Sequence, residues 1–168
     1  MSIYLRKLQI EDSEQLIKLA NNKSIADDMC TLPSPFKKED ADLLINRSLG
    51  EEELIMGIIN SSNKLAGVVM LRDFEPCHEQ AELSVWIGEP FWGKGFGTQA
   101  IAKMSNFGFE EKGLNRIYAY CMVRNIASQR ILEKSGFLRE GLLRERVIKN
   151  RIYEDVYMYA ILKNDIRR

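Results

Sequence analysis

Along this chain the spacing of apolar positions switches repeatedly between a period of two and a period near 3.6, the signatures of strands and helices. Residues 3–8 alternate around Arg6 and predict a first strand. Asp12-Ser13-Glu14-Gln15 spells a capping box with Gln15 at N3, followed by Leu16, Ile17, Leu19 and Ala20 at helical spacing. Pro33-Ser34-Pro35 interrupts the pattern, and Ala41, Leu44, Ile45 and Leu49 predict a second helix over about 38–48. Residues 54–59 and 65–71, joined by Asn60-Ser61-Ser62-Asn63-Lys64, predict a hairpin.

Residues 81–87 predict the next strand, with Glu82, Ser84 and Trp86 on one face and Leu83, Val85 and Ile87 on the other. A helix follows to about residue 112, its apolar face including Ile101, Met104 and Phe107, and Gly113 ends it. Residues 116–122 read as a strand. Residues 138–148 and 152–162, separated by Lys149-Asn150-Arg151, read as a long closing hairpin. Mixed ββ and βα units predict an α/β or α+β architecture, one sheet with helices on its faces. The alternation of Tyr153, Tyr157 and Tyr159 reads as packing, as do Phe91 and the indoles of Trp86 and Trp92.

The stretch Ile87-Gly88-Glu89-Pro90-Phe91-Trp92-Gly93-Lys94-Gly95-Phe96-Gly97-Thr98 stands where a strand stops and a helix starts. Its glycines permit a tight turn and leave N–H groups unpaired at a helix N-terminus, a ready site for phosphate. A nucleotide P-loop needs a hydroxyl residue after the lysine, but Lys94 is followed by Gly95. A dinucleotide fingerprint needs Gly-x-Gly-x-x-Gly early in a βαβ unit, whereas the spacing here is Gly-x-Gly-x-Gly deep in the chain. A plain glycine-rich turn has the same composition. A second stretch, Val123 through Phe137, follows the 116–122 strand; Asn125 fits a helix N-cap and Gly136 the C′ position.

Together these two stretches resemble the GCN5-related N-acetyltransferase (GNAT) superfamily, over essentially the whole chain. The first is similar to its Arg/Gln-x-x-Gly-x-Gly/Ala pyrophosphate loop, with Trp92 where Arg or Gln is commonest. The second is similar to its later Asn-capped helix ending in Gly-Phe. Phe91 to Thr98 and the tract Arg151 to Tyr159 resemble most the branch of ribosomal-protein alanine N-acetyltransferases. The resemblance implies a mixed, mostly antiparallel sheet of about seven strands with about four helices, and a splayed strand pair that forms an acetyl-CoA cleft. The first two helices would form one wall of the acceptor cleft.

It further implies the site. Main-chain groups of Val85, Trp86 and Ile87 would pair with the pantetheine arm, and one of them would face the thioester oxygen. Trp92, Gly93, Lys94, Gly95, Phe96, Gly97 and Thr98 would hold the pyrophosphate, and Asn125 would hydrogen-bond the arm. Glu82 is the first candidate base, with Glu154 and Asp155 in reserve. Leu132 stands where many members carry an acid tyrosine, which excludes that acid here; the branch's serine matches Ser128, whose hydroxyl would protonate the thiolate. The plain alternatives are a solvated strand glutamate and a helix-surface hydroxyl. An α-amine, with a reference pKa near 8, is about a tenth neutral at pH 7 and needs a weaker base than a lysine amine.

Composition narrows the rest. The 168 residues, 45% hydrophobic, suffice for one core, so residues 1–168 are expected to form one domain. Lys+Arg 24 against Asp+Glu 24 leaves a formal net charge of +0, with no overall field for nucleic acid or an anionic membrane. The start of the chain lacks signal-peptide order and no apolar run is long enough for a bilayer, so a cytoplasmic protein is expected. Cys30, Cys77 and Cys121 are widely spaced and read as reduced and mostly structural, with neither disulfide nor zinc; His78 is the sole histidine and lies in a loop signal, and no metal is expected. The expected activity is direct acetyl transfer from acetyl-CoA to an amine, foremost a protein N-terminus. A small-amine acceptor and a noncatalytic acyl-CoA sensor, the latter prompted by Leu132, are the other readings. Monomer and homodimer both stay open.

Overall fold

The computed structural model describes residues 2–166. Seven strands form one sheet in the order β1-β2-β3-β4-β5-β7-β6. They are β1 (Ile3–Arg6), β2 (Leu54–Asn60), β3 (Leu65–Glu75), β4 (Gln80–Ile87), β5 (Arg116–Met122), β6 (Leu138–Lys149) and β7 (Ile152–Leu162). Among the described residues five α-helices cover the faces: α1 (Ser13–Ala20), α2 (Lys23–Asp28), α3 (Lys38–Leu49), α4 (Phe96–Glu110) and α5 (Ile126–Lys134). Every pairing is antiparallel except β4 with β5. The mostly antiparallel seven-stranded sheet is the one expected; the additional helix is the six-residue α2, capped by Asn22, whose side chain accepts from the amides of Ser24 and Ile25.

Strand alternation divides the interior into two layers. Ala81 and Leu83 of β4 and Ile117, Ala119 and Cys121 of β5 pack with Phe96, Ile101, Met104 and Phe109 of α4. On the opposite face Trp86 packs with Leu16 and Leu19 of α1, Ile25 of α2 and Leu44 and Ile45 of α3. Each fully buried aliphatic or aromatic side chain contributes about 1.5–3 kcal/mol relative to exposure, so both faces anchor β4. Gly67 lets β3 approach it: a Cβ there would lie 2.2 Å from the Trp86 carbonyl oxygen.

Four local expectations are corrected. Asp12 does not cap α1; its carboxylate takes the Gln9 amide and pairs with Arg6 at 2.7 Å. This buried charge has a fixed-charge partner, a stronger competitor than an orphan helix amide. On α4 Ile101 and Met104 face inward as expected, but in the last turns the face continues through Gly108 and Phe109 and Phe107 is exposed; the helix comes close to the sheet at Gly108, where a Cβ would stand 3.0 Å from Ile117 and Leu71 side-chain atoms. Tyr153 is 63% exposed, near the outer end of the closing hairpin and beyond the reach of the core, while Tyr159 is fully buried. Cys121 is buried in β5 as a structural cysteine should be, but Cys30 and Cys77 are exposed, so the cysteines are not mostly structural.

The closing helix turn forms as expected. Asn125 accepts the Ser128 amide at 2.9 Å, and Gly136 adopts φ +87 while Phe137 donates back to Leu132 and Gly136 to Glu133, a Schellman ending. Leu132 itself is buried in the core. No helix among the described residues is long and apolar enough to cross a membrane.

Candidate functional site

β4 and β5 stay in register for three residues only, Gln80 with Arg116, Ala81 with Ile117 and Glu82 with Tyr118. Beyond that point β4 follows β3 as far as Ile87, and β5 follows β7 as far as Met122. The two strands part into a V whose inner edges carry backbone groups of residues 83–87 and 119–122. Val85, Trp86 and Ile87 therefore lie on the edge of the gap. The gap opens into a cavity of about 850 Å³ that is lined by both strands, the glycine-rich loop, α2, α5 and the middle of β6.

At the mouth of the V the chain turns through residues 88–95 into α4. Gly93 and Gly95 both have φ +73, a conformation that side-chain-bearing residues resist. A Cβ on Gly93 would meet nothing within 4 Å, so it is the backbone angle, not crowding, that calls for glycine, and the loop surface is open to an incoming group. Among the described residues no acceptor takes the amides of Gly93, Lys94, Gly95, Phe96, Gly97 or Thr98. These donors and the positive end of a 15-residue helix fit an anion. Gly97, in the first turn, allows α5 to approach, with a Cβ there 3.3 Å from Ile131.

The side chains of this stretch do different work. Phe96 is buried and stacks on Phe91 at 6.1 Å, so only its amide faces the loop. Lys94 folds back, its ammonium donating to the Pro90 carbonyl at 2.8 Å. Trp92 is 46% exposed and its indole N–H donates to the Ile87 carbonyl at 2.6 Å, tying the loop to the end of β4. The acceptor at the very end of the strand edge is thereby occupied by the chain itself.

Glu82 lies at the apex of the V, buried, and accepts from Arg72 of β3 at 2.6 Å, a contact that fixes the orientation of the carboxylate. Its register partner Tyr118 has its phenol pushed up to about 12 by burial and then by the Glu82 charge. Ser128 is half-buried on the first turn of α5, beside the Cys121 thiol, and both line the cavity. Burial pushes that thiol above its ordinary value, and the hydrogen bond with Ser128 opposes the shift. The reserve acids are engaged: Glu154 pairs with Arg124 at 2.8 Å, and Asp155 accepts the Glu145 amide at 2.7 Å.

The structure thus brings Glu82, Ser128, Asn125 and the glycine loop around one cavity. Sequence reasoning gave the opposite wall to the helices that are α1 and α3, but neither lines the cavity. α2 contributes Ile25 and Asp28, β3 contributes Arg72, β5 contributes Tyr120 and β6 contributes Arg146. Asn22 before Ile25 and Ala26 was the cap signal for α2. Nothing local announced Arg146, since Glu145 beside it takes φ +51 without the usual glycine or asparagine.

Comparison with known proteins agrees with this geometry. Residues 2–138 match the family model of the acetyltransferase (GNAT) domain. The chain is 30% identical to the ribosomal-protein-serine acetyltransferase of Escherichia coli, over 62% of this chain and 59% of that one. It is 27% identical to the spermidine N(1)-acetyltransferase of Vibrio cholerae, over 95% of this chain and 92% of that one. The crystal structure of spermidine N-acetyltransferase from Vibrio cholerae in complex with CoA and spermine superposes with a TM-score of 0.87 at 26% identity, covering 99% of this chain and 98% of that one.

Proposed function

The chain belongs to the GNAT acetyltransferase family, and on that footing we propose that it moves an acetyl group from acetyl-CoA directly to the α-amine of a protein or peptide N-terminus, the whole chain acting as one unit. The observation that carries this reading is the parting of β4 from β5 beside a glycine loop whose amides have no acceptor among the described residues. A strand edge pairs with an extended molecule through main-chain groups, which suits the pantetheine arm along residues 85–87. Amides from Gly93 to Thr98 suit the pyrophosphate, with Trp92 and Lys94 bracing the loop and Asn125 offering its side-chain amide to the arm.

The acceptor amine attacks the thioester carbonyl and a backbone N–H of β4 receives the developing oxyanion, an interaction whose loss typically costs a hundredfold or more in rate. Glu82, directly or through a water, takes the proton from the amine. As the C–S bond breaks, Ser128 donates a hydrogen bond to the departing thiolate and relays a proton to it from water; with Leu132 in the core, the first turn of α5 supplies a hydroxyl on the Cys121 side of the gap. An N-terminal amine needs only modest help to be neutral, which matches a carboxylate already engaged by Arg72.

A small polyamine acceptor is the second reading, favoured by the superposition on the Vibrio cholerae enzyme with CoA and spermine over 99% of this chain. The test is CoA release from acetyl-CoA against a panel of N-terminal peptides, amino acids and polyamines, for wild type, Ser128→Ala and Glu82→Gln. Turnover with peptides that falls in both variants is the expected result. Turnover with polyamines alone moves the protein to the second reading, and binding without turnover on any amine overturns both.

A further inference from the structure

In the middle of β6 the ladder to β7 slips. Leu143 pairs with Val156 and Val147 with Glu154, so three β6 residues, Arg144, Glu145 and Arg146, face Asp155 alone. The bulge is held in shape by Glu145, whose backbone is left-handed at φ +51 and whose amide donates to Asp155 at 2.7 Å. Bulges re-aim side chains, and they gather beside active sites. Here the bulge turns Arg146 toward the V: its guanidinium lies 5.2 Å from the centre of the Tyr120 ring, on β5 just past the point of parting, and it lines the cavity.

The charges around Arg146 are disposed unevenly. The acids of that wall already have partners: Glu82 has Arg72 at 2.6 Å, Asp28 has Arg124 at 2.6 Å and Glu154 has Arg124 at 2.8 Å. No carboxylate pairs with Arg146 among the described residues. On the same wall the buried indole N–H of Trp86 has no hydrogen-bond acceptor among the described residues, and the buried Nε–H of Arg72 has only the Asp73 carboxylate at 3.8 Å. Among the described residues of this wall, Arg146 is the guanidinium that no carboxylate engages, which leaves it open for a planar two-point contact.

We propose that Arg146 selects the acceptor by binding an oxygen that lies beyond the reacting amine, so that the substrates are α-aminoacyl compounds and polycationic amines are disfavoured. The inference rests on the reading of the site as an acetyltransferase and names its substrate class. The oxygen belongs to a peptide carbonyl or to the carboxylate of a free amino acid. A polyamine supplies cations and no acceptor, so it offers nothing to the Arg146 guanidinium and meets it as like charge.

The test measures initial rates with an N-terminal tetrapeptide amide, free alanine and spermidine, for wild type, Arg146→Ala, Arg146→Lys and Arg146→Glu. Calorimetry runs alongside, recording CoA binding and then acceptor binding to the CoA-loaded protein. A hydrogen bond to a charged group is worth enough for a roughly tenfold change. Expected in Arg146→Ala is about a tenfold rise in acceptor KM, with kcat and CoA affinity unchanged. Arg146→Lys should recover part of the loss, and Arg146→Glu should move preference toward spermidine.

Comparing tetrapeptide with alanine distinguishes carbonyl from carboxylate. Wild type that prefers spermidine overturns the inference, as does an unchanged acceptor KM in Arg146→Ala or a loss of CoA affinity there. Should no acceptor turn over, tetrapeptide or alanine binding to the CoA-loaded protein that weakens in Arg146→Ala sustains the inference while the proposed reaction fails; absence of such binding overturns the inference too.

Discussion

Gly93 and Gly113 offer a matched pair for isolating the anion cradle. Both are left-handed, φ +73 and φ +67, and at neither would a Cβ meet any atom within 4 Å. Alanine at either position therefore carries the same backbone penalty, about 1–2 kcal/mol, and no steric one. For a chain of this size that lowers Tm by about 2–8 °C, and the two variants should fall together. They should separate when CoA is added. At a hundredfold excess over its Kd a ligand adds about 2.7 kcal/mol to stability, and Gly113→Ala should keep that gain.

Gly93→Ala puts a methyl group on the open face of the loop, where a phosphate must approach the amides. Losing one hydrogen bond to a charged group costs about 1.5–3 kcal/mol, or roughly tenfold to hundredfold in Kd. Thermal melts with and without CoA, with titration calorimetry for the Kd, read both quantities. Equal CoA affinity in the two variants would refute the assignment of the loop to the pyrophosphate.

Three further outcomes follow from the same geometry. Gly67→Ala drives a Cβ to within 2.2 Å of the Trp86 carbonyl, so urea denaturation should show a loss of about 2–3 kcal/mol as β3 and β4 are forced apart. Asn125→Ala removes the cap on the Ser128 amide and should cost about 1 kcal/mol together with a fall in kcat, because the first turn that carries Ser128 frays; Asn125→Asp should restore the stability. The phenols of Tyr118 and Tyr159 are both pushed up to about 12, by burial first. Their folded pKa values exceed the unfolded value near 10, so their contribution is intact below pH 10 and is lost as pH rises toward 12. Denaturant midpoints should drop over that window, and less steeply in Tyr118→Phe.

What could be read in the sequence was what a single segment determines. The β2–β3 and β6–β7 hairpins, the strand before the glycine loop and the Asn125-to-Gly136 helix each carry their own period, cap and turn residues, and each forms within a residue or two of expectation apart from a longer β3. The loop amides were legible for the same reason, since glycine spacing and a helix start are local. Long-range competition was not legible. Asp12 abandons its cap because Arg6, six residues away, offers a charge. Phe107 lies off the buried face of α4, which runs through Met104, Ser105, Gly108 and Phe109 and is chosen by the sheet it packs on. Arg72 reaches Glu82 only through the β3–β4 register, and Arg146 enters the cavity only because β6 and β7 differ in residue count between two pairs. Pairing of this kind leaves no mark on the sequence of one strand.

Among the described residues, three registered pairs, flanked by the Asn115 and Arg116 amides donating to the Glu79 carbonyl, make the ladder that seams the β1–β4 half of the sheet to the β5–β7–β6 half. On the proposed reading the substrate's own backbone continues that seam, so the donor is for a time a piece of the architecture and not merely its cargo. CoA keeps the pantetheine amides after the acetyl group has gone, and the stitch therefore outlasts the reaction. The acetylated product can depart from a closed sheet, whereas departure of CoA must unzip it. Amide deuterium exchange along residues 83–87 and 119–122 would then track nucleotide occupancy, slow while either acetyl-CoA or CoA is held and fast once the seam is again three pairs long.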